Sequence, residues 1–257
     1  MATNQRKFVW YELMTTDSRA ATDFYGKVIG WDAKDSGLTD RSYTILSMGP
    51  TMVGGMMDIC EEARAAGVKP SWSGYIGVDD VQAYVDRITA QDGTLLYGPE
   101  DIPEIGRFAV VSDPDGAGFV LFQAAHGEPD LPPASDQPGH VGWHELHAAD
   151  GEQAFEFYSG LFGWTKDQAI DMGEYGTYQL FAAGDTPIGG MMTKMPDTPV
   201  PTWMYYFNVA AVDDTVERIK QAGGQVLMGP HEVPGESWII QCLDPQGAPF
   251  ACVGPKR

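Results

Sequence analysis

The chain has 257 residues, 43% of them hydrophobic, including 11 Phe, 11 Tyr and 7 Trp. That is enough apolar mass to bury a core, so global disorder is excluded. Sixteen Lys and Arg stand against 36 Asp and Glu, a formal net charge of −20; such a field repels phosphate, and neither nucleic acid nor a membrane surface is expected as a partner.

The N-terminal residues lead straight into Phe8-Val9-Trp10 with no signal-type apolar region. No apolar run approaches the ~18 residues of a membrane span. Cys60, Cys242 and Cys252 are few, odd in number and without CxxC spacing. A cytoplasmic protein with reduced thiols is the expectation. The first strand is expected over Phe8–Met14. Asp17 then caps a helix with Ala20, Ala21, Phe24, Tyr25 and Val28 on its apolar face, and Gly30 ends it. Short strands follow near Trp31–Lys34, Tyr43–Met48 and Met52–Met57. The order then recurs: a strand over Trp72–Val78, a helix opened by Asp79-Asp80 over Val81–Gln91, and strands near Thr94–Tyr97, Arg107–Ser112 and Gly118–Gln123. Each set is a βαβββ module.

The whole pattern is duplicated. Residues 10–31 align with 143–164 without a gap, and nine of the 22 positions are identical. Gly54-Gly55-Met56-Met57 returns as Gly189-Gly190-Met191-Met192, and residues 72–122 match 203–253, aligning Gly98-Pro99 with Gly229-Pro230 and Asp113-Pro114 with Asp244-Pro245. The expected organisation is α+β: four βαβββ modules in two homologous domains, 1–125 and 139–257, joined by a Pro-rich linker over 126–138.

In this order the motifs resemble the vicinal oxygen chelate superfamily, which contains glyoxalase I, extradiol dioxygenases and bleomycin-resistance proteins. The apolar strand ending in Asp17, the Phe24-Tyr25 and Gly30-Trp31 pairs, the Val78-Asp79-Asp80-Val81 helix entry and the Asp113-Pro114-Asp115-Gly116 turn carry the resemblance. It implies paired modules whose sheets curve into a cup around a ligand. Metal-dependent members hold a divalent ion on the inner face of that cup. The positions that match their ligands are Trp10 and Trp143, Ser73 and Met204, and Val120 and Ala251, none competent toward a hard or borderline ion. All five His lie at 126 or beyond, so the first domain has none. No metal and no other cofactor is expected.

Strand alternation puts Trp10, Glu12 and Met14 on the inner face, with Trp143, Glu145 and His147 as their counterparts. Two readings stand for the repeated Glu: a structural anchor, or a carboxylate whose burial suits it to act as a general base. Glu12, Glu145 and His147 are thus the candidate catalytic groups. Trp10, Met14, Tyr75, Arg107, Trp143, Tyr206 and Trp238 are the candidate ligand contacts. Arg107 is the notable cation, placed to pair Glu12 or to bind an anionic group, and Trp238 is its counterpart. His144 is expected on the opposite face, and His231 in an exposed loop. The functional expectation is a monomeric or homodimeric protein binding a small aromatic or apolar molecule without metal. The alternatives are an enzyme that uses the inward Glu and His, and a metal-dependent lyase or dioxygenase.

Overall fold

The computed structural model describes residues 6–38, 42–127, 136–196 and 198–257. The first module is β1 (Phe8–Thr15), α1 (Ser18–Val28), β2 (Asp32–Asp35), β3 (Thr44–Met48) and β4 (Thr51–Asp58). A short helix α2 (Glu61–Ala65) leads to the second: β5 (Ser71–Gly77), α3 (Val81–Thr89), β6 (Thr94–Ile102), β7 (Gly106–Ser112) and β8 (Gly118–Ala124). The third is β9 (Val141–Ala148), α4 (Gly151–Phe162), β10 (Thr165–Asp171), β11 (Thr177–Ala183) and β12 (Thr186–Thr193). The fourth is β13 (Thr202–Asn208), α5 (Val212–Gln221), β14 (Gln225–Val233), β15 (Ser237–Leu243) and β16 (Pro249–Gly254). The fold is α+β, in four βαβββ modules.

Local chemistry explains most boundaries. Asp17, Asp80 and Asp150 each accept a backbone N–H from the first turn of the helix that follows. α5 has Ala211 at this position and relies on Asp213 and Asp214 in its first turn. α2 was not foreseen, and none of its residues is buried, so it has no apolar stripe to betray it. β6 runs past Tyr97 to Ile102, through an irregular register around Gly98-Pro99.

The described residues form two compact units, each of which takes one module from each half of the chain. Among the described residues, one unit takes those within 6–9, 74–127 and 143–204; the other takes those within 10–73, 136–142 and 205–257. In the first, the strand orders are β5-β8-β7-β6 and β10-β11-β12-β9; in the second, they are β2-β3-β4-β1 and β13-β16-β15-β14. The opening strand of each module pairs in parallel with its last, as in Glu12↔Gly55, Tyr75↔Val120, Glu145↔Gly190 and Tyr206↔Ala251.

Repeated residues hold each unit together. Tyr158 of α4 donates its hydroxyl to Asp113 (3.2 Å) and accepts the Trp203 indole N–H (3.1 Å). In the other unit, Tyr25 of α1 donates to Asp244 (3.2 Å) and accepts from Trp72 (2.9 Å). The second oxygen of each Asp receives backbone N–H groups of its own Asp-Pro-x-Gly turn. Arg87 caps the end of α4 through the Gly160 carbonyl, and Arg218 caps the end of α1 through Val28.

Candidate functional site

β9 presents Trp143, Glu145 and His147 at alternate positions, as period 2 requires. Glu145 is 7% exposed. His147 Nε2 lies 2.9 Å from Glu145 Oε2. The Trp143 indole donates to the Tyr178 hydroxyl at 2.7 Å, and that hydroxyl in turn bonds the Glu145 carboxylate. The four side chains therefore form one hydrogen-bonded row. Burial, and then Glu145, raise the pKa of Tyr178 far above the ordinary phenol value, so it stays protonated and donates. Burial opposes charge on His147, but the Glu145 contact outweighs it and its pKa is raised. His147 Nδ1 is closed to solvent and has no hydrogen-bond partner.

The other unit repeats this row without the histidine. Trp10 donates to the Tyr43 hydroxyl at 2.9 Å, and Tyr43 bonds Glu12. Burial first and Glu12 second raise the Tyr43 pKa. Met14 stands where the second half has His147 and, like Trp10 and Glu12, is half-buried.

Tyr43 and Tyr178 escaped the sequence reading. The signal was present, because they share the 135-residue offset that relates the two Gly-Gly-Met-Met stretches. The glycines make their room. A Cβ at Gly55 would overlap the Tyr43 hydroxyl, and one at Gly190 would overlap the Tyr178 ring. The preceding glycines let β4 and β12 approach the Tyr11 and His144 carbonyls.

The other candidates stand elsewhere on their strands. Tyr75 is buried beside Phe122, with ring centroids 6.3 Å apart. Tyr206 is buried and accepts from Gln241 Nε2 at 2.9 Å. Arg107 pairs across the hairpin with Asp101 (3.3 Å) in an open depression of about 600 Å³ that Asp80, Glu104 and Gln123 also line. Trp238 carries Lys256 over its ring at 4.1 Å. His144 does face away from the row: its Nδ1 donates to the Ile188 carbonyl, and its ring stacks on Phe8 at 4.1 Å. His231 is exposed. Cys242 and Cys252 lie buried and free on adjacent strands, and burial pushes the Cys242 thiol up to about 12, so neither is poised as a thiolate nucleophile.

Four of the six positions that the resemblance aligns with metal ligands, Trp10, Trp143, Val120 and Ala251, offer a divalent ion no lone pair. Each indole has only an N–H to give, already spent on a tyrosine, and Val120 and Ala251 are hydrocarbon. Glu145 and His147 offer two donors, which bond each other. Among the described residues, no three His, Cys, Asp or Glu side chains are grouped to share an ion.

Comparison with known proteins gives the family. The family model for the Glyoxalase/Bleomycin resistance protein/Dioxygenase superfamily matches residues 7–121 and again 137–251. "Putative glyoxylase CFP32" of Mycobacterium bovis is 32% identical over 250 residues, covering 96% of this chain and 94% of that protein. "Anthracycline biosynthesis protein DnrV" of Streptomyces peucetius is 30% identical over 259 residues, covering 95% and 91%. Among solved structures, the Mn(II)-bound glyoxalase from Novosphingobium aromaticivorans superposes with a TM-score of 0.66 at 15% identity, covering 99% of this chain and 83% of that one. The 2,3-dioxygenase LapB from Pseudomonas sp. KL28 gives 0.67 at 12% identity, covering 98% and 93%. With both halves matched by one model and relatives aligned along nearly their whole length, the chain belongs to the Glyoxalase/Bleomycin resistance protein/Dioxygenase superfamily.

Proposed function

We propose that this chain is a metal-independent member of the superfamily that binds a small, flat, aromatic or apolar molecule against its Trp–Tyr–Glu rows. One observation carries the reading: in both halves the side chain matching the family's first ligand is an indole, tied to a half-buried phenol. An indole face offers dispersion and stacking to a flat ring, and nothing to a cation that needs a lone pair. The name of the Streptomyces relative points the same way, since anthracyclines are flat polycyclic aromatics. A second reading, proton transfer by Glu145 and His147, is favoured by their 2.9 Å contact in a largely dry setting.

The test titrates a dihydroxyanthraquinone into the protein and follows tryptophan fluorescence, with metal content measured before and after chelation. Saturable quenching that survives the chelator and weakens in Trp143→Ala is expected. A stoichiometric divalent ion whose removal abolishes binding would overturn the proposal.

A further inference from the structure

We propose that the open depression beside α3 is a docking site for a peptide segment that carries arginine side chains. None of the Trp–Tyr–Glu row residues lines it, so the inference stands apart from the ligand proposed above.

The second half of the chain holds such a segment of its own. After β16, Pro255, Lys256 and Arg257 run past the start of α5. The Val212 N–H donates to the Pro255 carbonyl (2.9 Å), and the Asp213 N–H donates to that of Lys256 (3.0 Å). The Lys256 ammonium lies 4.1 Å from the centre of the Trp238 ring, and Arg257 Nε donates to Asp213 at 3.2 Å. No side chain caps α5, so these carbonyls take N–H groups that a helix start leaves over. Three residues thus bridge the first turn of α5 and β15.

The first half has the same frame without the segment. Val81, Gln82 and Arg107 are the counterparts of Val212, Asp213 and Trp238. Here the chain leaves β8 along the β6–β7 hairpin, where the Ala125 N–H donates to the Ile105 carbonyl (3.0 Å). Gln82 and Arg107 line the open depression of about 600 Å³. Gln123 Oε1 accepts the Val81 N–H (3.2 Å) in place of a chain carbonyl, and Asp80 accepts that of Ala83 (3.0 Å). The Gln82 N–H is then the donor equivalent to that of Asp213.

Charge selects the occupant. Asp80, Asp101 and Glu104 line the depression with one guanidinium, that of Arg107, which pairs with Asp101 at 3.3 Å. The surplus is negative, as it is over the whole chain, so a cationic segment is drawn in and an anionic one repelled. Two differences from the second half set the sequence that fits. Arg107 replaces the indole that carries Lys256, so the residue beside it has to bring an acceptor, such as a Gln amide, and not a cation. Asp80 and Glu104 stand where the second half has Ala211 and Gly235, so the arginines of the peptide meet carboxylates there. A simple polyamine meets the carboxylates too, but it has no carbonyl for Gln82 or Arg107.

The test titrates acetyl-Pro-Gln-Arg-Arg-amide into nitrogen-labelled protein and follows the backbone amides by NMR. Saturable shifts at Gln82, Gly106 and Ala124 are expected, with binding that weakens as salt rises. Acetyl-Pro-Gln-Glu-Glu-amide is expected to leave these amides in place. Asp80→Asn, which keeps a helix cap, combined with Glu104→Gln should weaken the arginine peptide about tenfold. Glu104→Gln alone serves should the double variant fail to fold. Arg107→Trp restores the second-half residue and should turn the preference toward acetyl-Pro-Lys-Arg-Arg-amide. The proposal is overturned if the arginine peptide leaves the three amides unmoved, or if its affinity ignores the loss of the carboxylates. It is also overturned if Arg107→Trp leaves the preference unchanged, or if spermine shifts the Gln82 amide as far as the peptide does.

Discussion

One oxygen atom on each of Tyr25 and Tyr158 closes two buried polar groups at once. In Tyr25→Phe, the Trp72 N–H and one Asp244 oxygen both lose their partner. Leaving such groups dry and unpaired costs about 1–3 kcal/mol, which urea unfolding at pH 7 would register as a lower midpoint at constant slope. An unchanged midpoint would show that water replaces the hydroxyl. His144 makes a second prediction, in pH. It is 2% exposed, and burial pushes its pKa from 6.5 down to about 4. The unfolded chain therefore binds this proton more readily than the folded one. The stabilisation is complete above pH 6.5 and is lost as pH falls toward 4, a swing of roughly 3 kcal/mol. His144→Asn keeps an N–H for the Ile188 carbonyl without the titration. The stability of the wild type relative to this variant is expected to fall between pH 6.5 and 4 and to stay level above it. Curves that remain parallel down to pH 4 would refute the assignment. At this scale the sequence was informative where one strand suffices: period 2 alone places Trp143, Glu145 and His147 together and turns His144 away. It was silent where a partner comes from a second strand. Arg107 meets Asp101 because β6 extends through an irregular register, and no pattern in the residues announces that shift.

Helices and strands repeat the lesson with larger pieces. The caps Asp17 and Asp80 and the apolar face of α1 are local chemistry, and the sequence reads them correctly. The Gly-Gly pairs of β4 and β12 were visible as repeats, but their purpose was not. They are cut-outs: the first glycine lets the strand close on a neighbouring carbonyl, and the second lets a tyrosine lie across it. Gly190→Ala puts a methyl group where the Tyr178 ring lies, so the ring must leave the row and release Trp143 and Glu145. Overpacking of this kind costs about 1–3 kcal/mol. The same variant is expected to lose the hydrogen-bonded state of the Trp143 indole, seen as a shift of its N–H proton resonance. If that resonance stays in place, the strand has moved instead of the ring. A smaller effect is expected for Arg218→Ala, which uncovers the Val28 carbonyl at the end of α1 and should cost about 1 kcal/mol.

At the scale of the molecule, the duplication is legible from sequence, whereas the partnership between modules is not, and the reason is the repeat itself. Tyr25 and Tyr158 are equivalent, as are Asp113 and Asp244, so the residues alone allow Tyr25 to meet either aspartate with identical chemistry. The structure gives Tyr25 to Asp244 and Tyr158 to Asp113, so each unit draws its buried ties from both halves of the chain. This choice has a consequence that can be measured. A fragment carrying only residues 1–125 retains Tyr25 and Asp113 but lacks the two groups they bond here. It also exposes Phe24 and Tyr25, which pack against Phe250 at ring-centroid distances of 5.8 and 5.5 Å. Leaving two such rings in water forfeits several kcal/mol of burial, a large part of the stability of a domain this size. The repeat offers a remedy, because a second copy of the fragment can present Asp113 and Phe119 where the intact chain presents Asp244 and Phe250. The isolated first half is therefore expected to be dimeric or unfolded by light scattering and circular dichroism. Mixed with residues 139–257, it is expected to form a one-to-one complex that restores the buried tyrosines. A first half that is monomeric, folded and indifferent to its counterpart would show that the ties drawn from both halves are dispensable.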